Sequence, residues 1–276
     1  MSALSGSSHS YLYYRHTLPV RVMHWINVVA LTILMMSGLQ IFNAHPALYW
    51  GKSSYTGRPP LLQIGTRDDE RSGRIGVVRV LGHEFNTTGV LGLTERDGNP
   101  QEVAFPRWAT IPGWYSLAMA RQWHFFFAWV FVLNGIAYVV YSVTSRHLWH
   151  DLAPTSHELK GIGGSIKDHL LFRHPTGEAG KRYNVLQKLA YVGVIFVLLP
   201  LVILMGWAMS PWLDTVIPNW VDILGGRQSA RTLHFIAAWL LVVFVLIHVF
   251  EVFVSGFWNH LRSMITGNFR VKQGVQ

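Results

Sequence analysis

A chain of 276 residues, half of them hydrophobic and only 13% charged, carries far less charge than the roughly 25% of an ordinary soluble domain and reads as a membrane protein. It has no cysteine, which excludes disulfides, iron–sulfur clusters, thioether-linked haem and thiol catalysis, while fourteen histidines leave imidazole as the chief metal donor. A net charge of +9 in such a chain points to basic segments against anionic lipid, with no call for nucleic acid.

The first apolar segment runs from about residue 20 to 42 and is long enough to span a bilayer, which takes about 20 residues. Its basic flank and the small residues of "NAHPA" imitate a signal peptide. Its apolar part is longer than a signal core of about 7–15 residues and contains His24, so a retained span is expected. Residues 43–122 follow as a long extramembrane loop. "GRPPLLQIG", "RDDERSG" and "TERDGNP" are turn signals, and "GVVRVLGHEF" predicts a short strand. The loop reads either as an irregular insertion or as a surface that caps or docks a partner.

The second span is expected over 123–143, followed by a basic, histidine-rich loop over 144–188 lying against inner headgroups. The third covers 189–209, with Pro200 inside it, a kink that neighbouring helices tolerate. The fourth covers 233–257. Lys and Arg number two in residues 1–21, seven in 145–188 and three, with no acid, in 258–276. By the positive-inside rule both termini face the cytoplasm. The expected fold is an all-α membrane protein, a four-transmembrane-helix bundle making a single domain of residues 1–276.

Four histidines fall inside or at the lip of the spans: His24, His124, His234 and His248. On an in–out–in–out course, His24 lies near the cytoplasmic side of the first span, while His124 and His234 lie near the outer ends of theirs. His248 follows His234 by fourteen residues, about 21 Å of helix rise and about 40° of azimuth, so both face one side of the bundle at different depths. Depth therefore pairs His24 with His248 and His124 with His234. Two neutral imidazoles at one depth suit a six-coordinate b-type haem, and two pairs suit two haems. The stretches "RVMHW", "RQWHF" and "RTLHF" put an Arg one helical turn nearer water than three of these histidines. Arg21, Arg121 and Arg231 are therefore candidates to pair with haem propionates, or else snorkelling anchors at the interface. A proton relay in a haem-free transporter is the competing reading of intramembrane His. It calls for carboxylates, of which the spans offer Glu251, and has no need of matched depths.

With "RVMHW", "RQWHF", "KRYNVLQKLAY" and "LHFIAAWLLVVFVLIHVFEVFVSGFWNHLRSMITGNF", the chain resembles the dihaem b-type cytochrome membrane subunits of formate dehydrogenase, nickel–iron hydrogenase and thiosulfate reductase. The resemblance implies two haems b in the pairs His24/His248 on the cytoplasmic side and His124/His234 on the periplasmic side. It also implies a quinone site near the inner haem, carried onto Asn184 and His248, with Gln187 and Lys188 in the same motif. Asn184 reads equally as a helix N-cap before "VLQKLAYVGV". The first loop is longer than in the formate dehydrogenase and hydrogenase cytochromes and leans towards the thiosulfate-reductase-like branch, whose partners are molybdenum enzymes. The function expected is electron transfer across a bacterial inner membrane between the quinone pool and a periplasmic, molybdenum-containing oxidoreductase. A free-standing quinol-oxidising cytochrome b is the alternative.

Overall fold

Strand β1 (Ser10–Tyr14) leads into α1 (Leu18–Asn43) in a computed structural model that describes residues 10–54, 57–96, 98–171 and 183–272. Lys181 and Arg182 of the "KRYNVLQKLAY" stretch and the last four residues of the basic tail lie outside the described residues. Pro19 sits in the first turn of α1, where its missing N–H costs no helix bond. Then come β2 (Ala47–Leu48), β3 (Leu62–Asp69), β4 (Gly73–Val80), β5 (His83–Asn86), β6 (Gly92–Arg96) and β7 (Asn99–Val103), followed by α2 (Leu117–Thr144), α3 (Ser156–Lys160) and α4 (Ile162–Leu170). The third span is built of α5 (Val185–Gly193), a π-helical turn over Val194–Leu198 and α6 (Leu199–Ala208). Short α7 (Pro211–Val216) and α8 (Trp220–Ile223) precede α9 (Arg227–Val254), α10 (Phe257–Thr266) and β8 (Asn268–Lys272).

Among the described residues four helices are long and apolar enough to cross a membrane: Leu18–Asn43, Leu117–Thr144, Val185–Ala208 and Arg227–Val254. Two begin about six residues before the apolar runs that signal them. The second opens on good helix formers, "LAMA", with Ser116 Oγ accepting from the Met119 amide at 3.4 Å. The fourth opens on the polar turn "RQSART", which apolarity alone does not mark, released by Gly225 and Gly226 at φ of 80° and 98°. In the third span Pro200 cannot donate to the Phe196 carbonyl. The π turn immediately before it is the local rewinding that absorbs such a break.

The chain divides into two compact units, one of Met1–Ile26, Asn134–Leu199 and Leu240–Gln276, the other of Asn27–Leu133 and Pro200–Trp239. In the second unit, residues 43–122 are not the long irregular loop that their turn signals suggest. They fold into a four-stranded antiparallel sheet, β2-β3-β4-β5, and a β6–β7 hairpin. The stretch expected to give one short strand makes a hairpin of two, turning at Leu81 and Gly82 with φ of 50° and 86°, the positive pair that a tight hairpin turn needs. Ile75 and Val77 are buried on one face of β4, and Val78 on the other face packs against the cluster at the end of α1. In that cluster Leu48, Ile64, Ala104 and Phe105 pack on Leu39 and Phe42 at the end of α1. Asn43 locks the join, its side chain accepting from the Phe105 amide at 2.7 Å and donating to the Phe105 carbonyl at 3.1 Å.

In the first unit β1 pairs antiparallel with β8 from Ser10↔Lys272 to Tyr14↔Asn268, so the two ends of the described chain are joined. Helix α5 starts at a reciprocal cap. Asn184 Oδ1 accepts from the Gln187 amide at 2.8 Å, and Gln187 Oε1 accepts from the Asn184 amide at 3.2 Å.

Candidate functional site

In the second unit, His124 on α2 and His234 on α9 face one another with ring centroids 6.2 Å apart. Each is pinned through Nδ1. His124 Nδ1 lies 3.2 Å from the Leu34 carbonyl and 3.1 Å from Ser37 Oγ. His234 Nδ1 lies 2.8 Å from the Val202 carbonyl. A carbonyl can only accept, so Nδ1 carries the proton in both rings and Nε2 keeps its lone pair, the arrangement that prepares an imidazole for a metal.

Both carbonyls belong to residues four before a glycine, Leu34 before Gly38 and Val202 before Gly206. On a helix those positions share a face. A Cβ on Gly38 would stand 3.5 Å from His124 Cε1, and one on Gly206 would stand 3.2 Å from His234 Cε1. Helix α1 and helix α6 thus each receive an imidazole through a backbone carbonyl, which on α1 also accepts from Ser37 Oγ at 3.2 Å, and a glycine one turn on that leaves the ring room to reach it.

In the first unit, His24 on α1 and His248 on α9 have ring centroids 6.4 Å apart. Phe244 stacks on His248 at 6.0 Å from the preceding turn. His24 Nδ1 is buried without a hydrogen-bond partner. Tyr191 meets His248 edge-on at 6.5 Å and Tyr183 meets Tyr191 at 5.4 Å.

The arginines before three of the histidines are held differently. Arg231 donates to the Ala47 carbonyl at 3.0 Å and the His45 carbonyl at 2.5 Å, with its guanidinium over Phe42. Arg121 lies 5.6 Å over the Phe125 ring. Arg21 donates through Nη1 to the Ile265 carbonyl, while its Nε is buried without a partner.

Of the four residues expected near a quinone, Asn184 and Gln187 form the cap of α5, so the N-cap reading of Asn184 describes where its side chain is. Lys188 is buried, 6% exposed, and ion-paired to Glu158 at 2.8 Å, a partner that nothing in the linear sequence marks. Lys188, and then the Thr155 amide, hold the Glu158 carboxyl down at about 2. Asn184 also lines an open cleft of about 250 Å³ with Val185, His157, Glu158, Gly161 and Ser165. The glycines, Ser37 and Glu158 escaped the sequence reading. The signal available for Glu158 was "TSHE", whose T-x-x-E spacing is that of a reciprocal cap.

The donor set fits haem. A metal–imidazole bond of about 2 Å on each side, plus about 1 Å from each nitrogen to its ring centre, asks for centroids about 6 Å apart, close to both observed spacings. No group of three or more His, Cys, Asp or Glu capable of holding a metal occurs among the described residues. Two nitrogens per centre is what the protein offers, and a macrocycle bringing four of its own completes such a site.

Membrane-spanning helices that carry facing pairs of imidazoles, one pair pinned through Nδ1, define a class, the b-type cytochromes of membrane electron transfer. The chain belongs to the prokaryotic cytochrome b561 family, whose model matches residues 15–267, and membership brings with it the expectation of haem b and iron. One relative, from Azospira oryzae, carries the name of a protein-methionine-sulfoxide reductase subunit, YedZ1; it is 28% identical over 238 residues, 86% of this chain and 89% of its own. Another, from Cupriavidus necator, carries the name of a Ni/Fe-hydrogenase B-type cytochrome subunit and is 20% identical over 267 residues, 92% of this chain and 85% of its own. No solved structure matches the chain.

Proposed function

We propose that this protein is a dihaem cytochrome b subunit, a single domain forming a four-helix bundle in a bacterial inner membrane. It exchanges electrons between the quinone pool and a periplasmic, molybdenum-containing oxidoreductase. The observation that carries the proposal is the presence of two imidazole pairs at ring spacings of 6.2 and 6.4 Å in a chain of this family. His124 with His234, and His24 with His248, would hold the two haem groups through their imidazole nitrogens, and haem b there would supply reversible one-electron iron chemistry.

The protein's own groups set the conditions. The Leu34 and Val202 carbonyls orient His124 and His234, and Arg21, Arg121 and Arg231 are the residues assigned to the haem propionates. A quinone headgroup is received near His248 by Asn184, which lines the cleft, with Gln187 and Lys188 of the same stretch. Glu158 there stays ionised, held at about 2 by Lys188 and the Thr155 amide, and fixes the Lys188 ammonium in place.

The names of the two relatives support a catalytic partner rather than a free-standing cytochrome, since each is a subunit of a larger reductase or hydrogenase. The folded sheet of residues 43–122 supports a docking role for that segment over an irregular insertion. Four spans and the pairing of β1 with β8 support both termini on one side, which the excess of Lys and Arg makes the cytoplasm.

The test is a reduced-minus-oxidised spectrum with a haem-to-chain ratio. Two haems b per chain are expected; a haem-free protein contradicts the proposal and revives a histidine-dependent transporter.

A further inference from the structure

Arg15, outside every motif that marks the histidines, has the most anomalous environment among the charged side chains described. Its Nε and Nη1 are buried and make no hydrogen bond. The guanidinium is gripped between two rings, 5.2 Å from the centre of Tyr183 and 4.8 Å from that of Phe269. The backbone fixes it there, since β1 and β8 pair up to Tyr14 and the Arg15 amide donates to the Gly267 carbonyl at 2.7 Å.

Two buried guanidinium nitrogens without hydrogen-bond partners are costly, and the aromatic stacking offsets only part of that cost. Two of the described carboxylates in the same unit are engaged elsewhere. Asp151 is bound to His147 at 2.6 Å and Glu158 to Lys188 at 2.8 Å. Arg21 repeats the anomaly with its own buried, unpartnered Nε. The neighbourhood is basic enough that burial, and then Arg15, push the His16 imidazole down to about 3. An unbroken line of rings connects Arg15 to the histidine pair: Tyr183, then Tyr191 at 5.4 Å, then His248 at 6.5 Å.

We propose that Arg15, together with Arg21, receives the carboxylates of the prosthetic group held between His24 and His248. The inference rests on the reading of that pair as haem ligands and adds to it the residue that anchors the group's anionic edge. Guanidinium nitrogens suit a carboxylate in a planar, paired fashion that an ammonium does not reproduce. The two aromatic faces hold the fork in place before any anion arrives. A lipid phosphate offers similar anionic oxygens, so the experiment separates the two sources.

The holoprotein is prepared with protohaem and, separately, with its dimethyl ester, in which both carboxylates are blocked. Haem loss to a soluble scavenger is then followed for wild type, Arg15→Gln and Arg15→Lys. With protohaem, Arg15→Gln is expected to lose one of the two haems about tenfold faster than wild type, as expected for one charge-assisted bond of about 1.5 kcal/mol, and Arg15→Lys recovers part of the difference. With the dimethyl ester, wild type and Arg15→Gln are expected to lose haem at the same rate.

Equal acceleration with both haems assigns Arg15 to a lipid phosphate or to packing and overturns the proposal. No acceleration with protohaem overturns it too. A wild-type protein without haem defeats the dihaem reading itself, whereas a dihaem protein indifferent to Arg15→Gln defeats only the role given to Arg15.

Discussion

Replacing Gly206 and Gly38 by alanine, one at a time, separates a glycine kept for an imidazole from one that merely lies beside it. At Gly206 the added carbon stands 3.2 Å from His234 Cε1 and 3.4 Å from Nδ1; at Gly38 the distances to the same atoms of His124 are 3.5 and 3.7 Å. Carbon contacts are favourable at about 3.5–4.0 Å. Gly38→Ala therefore fits, and Gly206→Ala drives the His234 ring away by a few tenths of an ångström. The ring's 2.8 Å bond to Val202 is then stretched, at a cost of about 1 kcal/mol, and the displaced side chain adds about 1 kcal/mol of torsional strain. Together these weaken haem retention about thirtyfold. Both substitutions improve helix propensity by about 1 kcal/mol, so neither is expected to lower the melting temperature of the fold. Haem loss to a scavenger and melting, measured side by side, read the two effects separately. Equal haem retention in the two variants, or rapid loss in Gly38→Ala, refutes the reasoning.

The buried Lys188 makes its partner indispensable: Glu158→Ala strands an ammonium and is expected to cost about 3 kcal/mol of stability, measured by thermal melting in detergent. The same pair gives a pH signature. The Glu158 carboxyl is held at about 2, below its usual 4.5, so its contribution is complete above about 4.5 and disappears as pH falls towards 2. Glu158→Gln removes that slope, and an unchanged slope contradicts the assignment. At Asn184, Asp preserves the cap while Ala removes it at about 1 kcal/mol. Quinone-coupled turnover that falls in both variants marks the side-chain amide as a quinone ligand, whereas turnover kept in Asn184→Asp leaves Asn184 only a cap.

The spans were legible because apolar runs of this length have one common explanation, and their ends were not because polar first turns such as "RQSART" carry no hydropathy signal. The pairing of histidines followed from depth alone, without any contact known, and those same pairs stand 6.2 and 6.4 Å apart. What holds the rings was out of reach. The Leu34 and Val202 carbonyls are backbone groups with no residue signature, and a glycine matters at position 206 only once the helix facing it is known. The sheet of residues 43–122 was under-read because its strands are short and its turn residues dense, so "GVVRVLGHEF" looked like one strand where the Leu81–Gly82 turn makes two. Arg15 lay hidden for a different reason: its meaning comes from Tyr183 and Phe269, residues far away in the chain.

The dihaem claim is tested most directly by counting haem b per chain in the wild type, His234→Ala and His248→Ala. The account predicts two haems in the wild type and one in each variant, with the remaining haem still six-coordinate and low-spin. Full haem content in His234→Ala, or a wild type with a single haem, contradicts it.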